Sequence, residues 1–131
     1  MRTFWAVAIG AALGGVARYY LASAIQHRVG PTFPWGTLVI NVSGSLLLGV
    51  LMRYALATPS VSAELRAFLT TGFCGGYTTF STYSYETATL LEDGQYTRAG
   101  SYAFASVVLA LVATFAGFIL ARELIAFRER V

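Results

Sequence analysis

The sequence predicts an all-α integral membrane protein of four helices, the third of them broken, and three observations carry that prediction. Of 131 residues, 56% are hydrophobic and only 11% are charged, whereas soluble domains carry about 25% charged residues. Four apolar stretches, near residues 3–26, 36–57, 65–91 and 99–122, each meet the roughly 20 residues that a bilayer core demands. The third stretch interrupts itself with "GFCGGYTTFSTYSYE" (72–86), where hydroxyls and aromatics stand in place of aliphatic residues. A single transmembrane domain over residues 1–131 is expected.

The connections mark the ends of the spans. "QHRVGPTFPWG" (26–36) holds two prolines and two glycines, "ATPSVSAE" (57–64) holds Pro59, and "EDGQYTR" (92–98) holds an Asp-Gly turn. The first stretch outruns the apolar core of a signal peptide, about 7–15 residues, and three more spans follow, so it is expected to be retained. Its Gly10, Gly14 and Arg18 recur at every fourth position. The glycines admit close backbone approach, either inside one subunit or between copies. Arg18 costs about 2.5–3.5 kcal/mol in an apolar helix, which points to a function, an ion pair or an interfacial anchor.

In the second stretch Asn41, Ser45 and Gly49 share a face. A mid-span asparagine brings two N–H donors that lipid cannot satisfy, so it either bonds across helices or offers them to a passing anion. In the fourth, Tyr102, Ser106, Ala110 and Thr114 again step by four, giving a line of hydroxyls that serves as interhelical bonding or as a path.

The third stretch is the most informative. Each glycine of Gly75-Gly76 costs a helix about 1 kcal/mol relative to alanine, and Thr78, Thr79 and Ser81 are helix-capping types. The helix is therefore expected to unwind over 75–78 and restart near Thr79. Irregular backbone at membrane depth persists only where protein buries it or where it lines a cavity. Such a break exposes carbonyls that suit a cation and N–H groups that suit an anion. Phe80 and Tyr83 then project from nearly one face, and the positive edge of an aromatic ring can meet a small anion. Glu86 follows one turn on. A lone intramembrane carboxylate is a functional candidate, with hydroxyls or Arg18 as its alternative partners.

Three pieces, "GGVAR" (14–18), "PWGTLVINVSG" (34–44) and "TTGFCGGYTTFSTYSYE" (70–86), closely resemble the Fluc (CrcB-type) family of small fluoride channels in order and spacing. The resemblance implies a passive fluoride channel in the bacterial inner membrane that exports cytoplasmic fluoride and lowers its toxicity. It implies a homodimer of two antiparallel, oppositely inserted subunits, surrounded by membrane lipid, with two pores around a central structural sodium ion. By motif position it makes Asn41 the pore asparagine and Phe80 the first pore aromatic. Tyr83 takes the second aromatic place, where phenylalanine is more common. Ser81, Thr82 and Tyr102 resemble hydroxyl-bearing pore or vestibule positions, with Ser106 and Thr114 along the fourth helix. Gly75 and Thr78 match the positions whose backbone carbonyls hold sodium.

The charges constrain the rest. All nine basic residues are arginine, with a net charge of +3, too few and too scattered for a nucleic-acid surface. Six of them (Arg2, Arg53, Arg66, Arg122, Arg128, Arg130) fall on the side of the termini, against Arg28 and Arg98 opposite. This bias favours cytoplasmic termini and departs from the near-zero bias that dual insertion implies. Cys74 reads as a small buried residue, and His27, the lone histidine, as a solvated loop residue. No nucleophile–base pair or metal-ligand cluster suggests an enzyme. Two further classes compete with the channel: a proton-coupled small-molecule exporter using Glu86, and a noncatalytic subunit of a membrane complex.

Overall fold

The computed structural model describes residues 1–130, whose regular structure is entirely helical, with no strand among them. Helix α1 (Arg2–Val29) and α2 (Trp35–Ala57) are followed by the short α3 (Ala63–Ala67), a π-helical stretch (Phe68–Cys74), α4 (Gly75–Tyr77), α5 (Phe80–Glu92) and α6 (Tyr96–Arg130). Helices α1, α2 and α6 are each long and apolar enough to cross a membrane. The expected third span arrives in pieces, so no single helix within it has that length.

Backbone conformation sets the helix ends. Gly30 (φ 87°) closes α1 and Gly94 (φ 72°) makes the Asp-Gly turn, a region that other L-residues rarely enter. Ser62 caps α3 by accepting from Leu65 N–H at 3.1 Å. Helix α1 runs three residues past the expected end, which puts His27 in its last turn instead of a loop, still exposed. Helix α6 runs eight residues beyond residue 122, because "ARELIAFRER" contains only helix-compatible residues and no breaker.

Small residues draw the helices together. Gly10 and Gly14 of α1 lie against the backbone of the third segment: a Cβ at Gly10 would stand 2.9 Å from Phe73 N, and one at Gly14 2.8 Å from Tyr77 N. The glycine stripe therefore serves packing within one subunit. Gly49 of α2 meets the Thr114 backbone of α6, and Gly117 meets the Val50 backbone in return. Ile40, Cys74 and Tyr102 are almost wholly buried, as the sequence predicts for Cys74.

The helix restarts after Thr79 as expected, but the break begins later than expected, at Thr78. Gly75 and Gly76 are helical, and the extended residues are Thr78 (φ −85°, ψ 160°) and Thr79 (φ −152°, ψ 118°). Intrinsic propensity yields here to tertiary packing. Gly76 is needed for contact, since a Cβ there would sit 3.0 Å from Ala11 Cα. The threonines, β-branched and suited to extended backbone, carry the irregularity. The π-helical turn before them was not foreseen. Within it the Thr70 hydroxyl donates to the Arg66 carbonyl at 2.8 Å, a back-bond that loosens a regular ladder.

Candidate functional site

Asn41 and Thr79 build the centre of the site. Asn41 Nδ2 donates to the Thr79 carbonyl (3.0 Å), and Thr79 N–H donates to Asn41 Oδ1 (2.8 Å). The carboxamide thus pairs with the broken backbone at two points, as a peptide group would. This settles one alternative left open by the sequence: Asn41 bonds across helices, and its Nδ2 keeps a second N–H beyond that pairing. Thr79 also caps α5, its Oγ1 accepting from Thr82 N–H at 3.2 Å. Gly44 makes room for the break, since a Cβ there would stand 3.0 Å from the Tyr77 ring. The Tyr77 hydroxyl in turn bonds Ser43 (3.0 Å).

Two cavities flank this clamp, and Thr79 lines both. One, of about 410 Å³, is lined by Arg18, Gln26, Thr37, Thr79, Thr82 and Glu86, among others. The second, of about 290 Å³, is lined by neutral residues alone, including Asn41, Ser45, Thr78, Phe80, Tyr83 and Ser106. On the second cavity Phe80 and Tyr83 lie 5.4 Å apart between ring centroids, tilted by 46°. The expectation that they share one face is met. Tyr83 also packs on Tyr102 at 5.4 Å, so its ring rests on the core.

Ser106 is the anomaly. It is buried, and its Oγ has no hydrogen-bond partner. Nearly all buried hydroxyls are satisfied, so an orphan on a cavity wall marks a place where a bound group would complete it.

On the first cavity, Glu86 accepts from Thr37 Oγ1 at Oε1 (2.8 Å) and from the Tyr102 hydroxyl at Oε2 (2.6 Å). Its partners are therefore hydroxyls, while Arg18 shares the cavity without pairing to it. Tyr102 is wholly buried and acts from behind the carboxylate, not as part of the cavity wall.

Other residues singled out in the sequence lie apart. Ser81 is exposed, with its Oγ 3.3 Å from Thr79 Oγ1. Thr114 donates to the Ala110 carbonyl (3.0 Å) and lines neither cavity. Gly75 is exposed beside the break, where an added Cβ would meet nothing within 4 Å. Thr37 escaped the sequence reading. Its signal was present, because it lies four residues before Asn41 and extends the Asn41–Ser45 face.

The family model described as CrcB-like protein, Camphor Resistance (CrcB), matches residues 5–118. A protein of Geobacter sulfurreducens named fluoride-specific ion channel FluC is 52% identical, over 95% of this chain and 100% of its own length. Its namesake in Geobacter metallireducens is 48% identical over the same shares, and that of Rhizobium meliloti 46% over 91% and 95%. The chain belongs to the CrcB-like family.

Proposed function

We propose that this chain is a fluoride-selective channel of the bacterial inner membrane, a multi-pass protein that lets cytoplasmic fluoride leave passively. Relatives near 50% identity over almost the whole chain carry that name, and it is a transporter's activity, not an enzyme's. The observation that carries the reading is the neutral cavity beside the Asn41–Thr79 clamp, with the partnerless Ser106 hydroxyl and two aromatic rings on its wall. Fluoride is small and strongly hydrated. It needs donors that replace water without the grip of a full cation. The spare Asn41 N–H, the Ser106 hydroxyl and the ring edges of Phe80 and Tyr83 are donors of that kind. Thr82 and Ser81 add hydroxyls near the restart, and Thr114 lies further along α6.

The working unit in this reading is a homodimer of antiparallel subunits. Phe80, 78% exposed in one chain, supports it: a pore aromatic turned outward requires a second surface to close the path. A central sodium ion fits the break. In a continuous helix Gly75 and Thr78 carbonyls would accept from Thr79 and Thr82 N–H. Those two donors turn instead to Asn41 Oδ1 and Thr79 Oγ1. The two carbonyls are thereby released for a cation, and two copies would offer four. Bound there, sodium would offset the converging carbonyl dipoles; the ion's ligands would be backbone, and the side chains would only shape the turn.

The test is fluoride efflux, followed by electrode, from liposomes holding the purified chain without a pH gradient, with chloride in parallel. Rapid fluoride release with chloride retained is expected. Release that requires a proton gradient would replace the channel by a coupled exporter.

A further inference from the structure

We infer that Gln26 is a positioning residue for the fluoride path: it sets the hydrogen-bond geometry of Glu86 through the α1–α2 connection. This rests on the proposed channel function and extends its path from the neutral cavity, past Thr79, which lines both spaces, into the Glu86 cavity. The half-buried Gln26 carboxamide spends every bond on one short segment of backbone. Its Nε2 donates to the Gly30 carbonyl (2.5 Å) and the Phe33 carbonyl (3.0 Å), and its Oε1 accepts from Gly36 N–H (3.1 Å).

Each bond bears on a neighbour of Glu86. Gly36 N–H belongs to the first turn of α2, where helix donors lack internal partners and where Pro34 provides no side-chain cap. Gln26 thus caps α2 from another helix. The next residue is Thr37, whose hydroxyl holds Glu86 Oε1. Phe33, fixed through its carbonyl, packs edge-on against Tyr102 with centroids 5.5 Å apart, and Tyr102 holds Glu86 Oε2. Both donors to the carboxylate are therefore braced by one carboxamide.

The location is consistent with a wall in the path. Gln26 and Glu86 each line the 410 Å³ cavity and also a third cavity of about 350 Å³, whose lining includes Asp93 and Arg98. They stand together where the two spaces adjoin. Loosening Gln26 frees residues 30–36, lets Thr37 and Tyr102 drift, and so changes how firmly the Glu86 carboxylate is held and how readily the Thr37 hydroxyl on the cavity wall is exchanged between it and an ion.

The test is a double-mutant cycle read as the initial fluoride efflux rate, with gel filtration and thermal midpoint measured on each variant. Gln26→Ala is expected to slow efflux about tenfold, the equivalent of one or two well-made hydrogen bonds. In a Thr37→Val background, where only the Phe33–Tyr102 brace is left to lose, the same change should cost about threefold, since groups acting as a unit are non-additive. Equal losses in both backgrounds would assign Gln26 a general structural role and overturn the inference. Unchanged efflux in Gln26→Ala, with efflux slowed in Thr37→Val and Tyr102→Phe, would overturn it too and spare the cavity. Unchanged efflux in Thr37→Val and Tyr102→Phe would remove Glu86 from the path, and the inference with it. Gln26→Glu, which keeps the acceptor for Gly36 and loses both donors, serves if Gln26→Ala does not fold. If neither variant folds, Gln26 is a folding residue and the proposal fails.

Discussion

At Asn41 a single carboxamide replaces the helical bonds that the break removes, and it still retains one donor for the cavity. Asn41→Asp separates these roles. A carboxylate can still accept from Thr79 N–H, with the added strength of a charged acceptor, but it repels the Thr79 carbonyl and any anion. Fluoride efflux is expected to fall by at least about tenfold, while gel filtration shows the assembled protein. Undiminished efflux would remove Asn41 from the path. The sequence revealed that a mid-span asparagine must find partners, because lipid offers none. It did not reveal which, because the partner is the backbone of a residue 38 positions away.

At the scale of elements, the third span explains both what the sequence disclosed and what it concealed. Thr79 as the cap of a restarting helix was legible, since capping is local chemistry: a side-chain oxygen and an N–H three residues on. The position of the break was not. Two adjacent glycines look like a helix breaker, yet one is demanded by α1 packing against it and the other faces open space, and only the folded neighbours distinguish them. The two glycines should therefore respond differently. Gly76→Ala forces a Cβ onto Ala11 backbone and is expected to destabilise the protein by about 1–3 kcal/mol, as overpacking does. Gly75→Ala leaves the single chain unstrained and, on helix propensity, should stabilise it by up to about 1 kcal/mol. Thermal midpoints in detergent check both. Equal losses would contradict the packing described for α1 and α4.

The whole molecule exposes what a single chain leaves unfinished. The composition made the membrane class and the main helices plain, because length and hydropathy are additive along a chain. The homodimer is an expectation from family resemblance; the single chain shows an outward-facing Phe80 and a break whose Thr79 and Thr82 N–H groups turn away from the Gly75 and Thr78 carbonyls. If sodium joins two subunits there, its removal should loosen the dimer before it unfolds the subunit. Exhaustive exchange of sodium for a large organic cation is expected to lower the thermal midpoint and to slow fluoride efflux together. Preservation of both would exclude a structural sodium. The arginine asymmetry between the two ends sets the matching question for insertion, which labelling of single cysteines at each terminus in intact cells answers.

The central claim is that fluoride moves along the neutral cavity beside the break, and Ser106 tests it most directly. Its hydroxyl is buried without a partner, so Ser106→Ala removes a desolvated polar group and should leave the thermal midpoint unchanged or raise it, by up to about 1 kcal/mol in stability. Electrode-measured fluoride efflux from liposomes should nonetheless fall about tenfold, the loss of a donor that only the ion satisfies. Stability held and efflux lost is the predicted result. Efflux equal to that of the parent protein would contradict the account, because the path would then run past other groups.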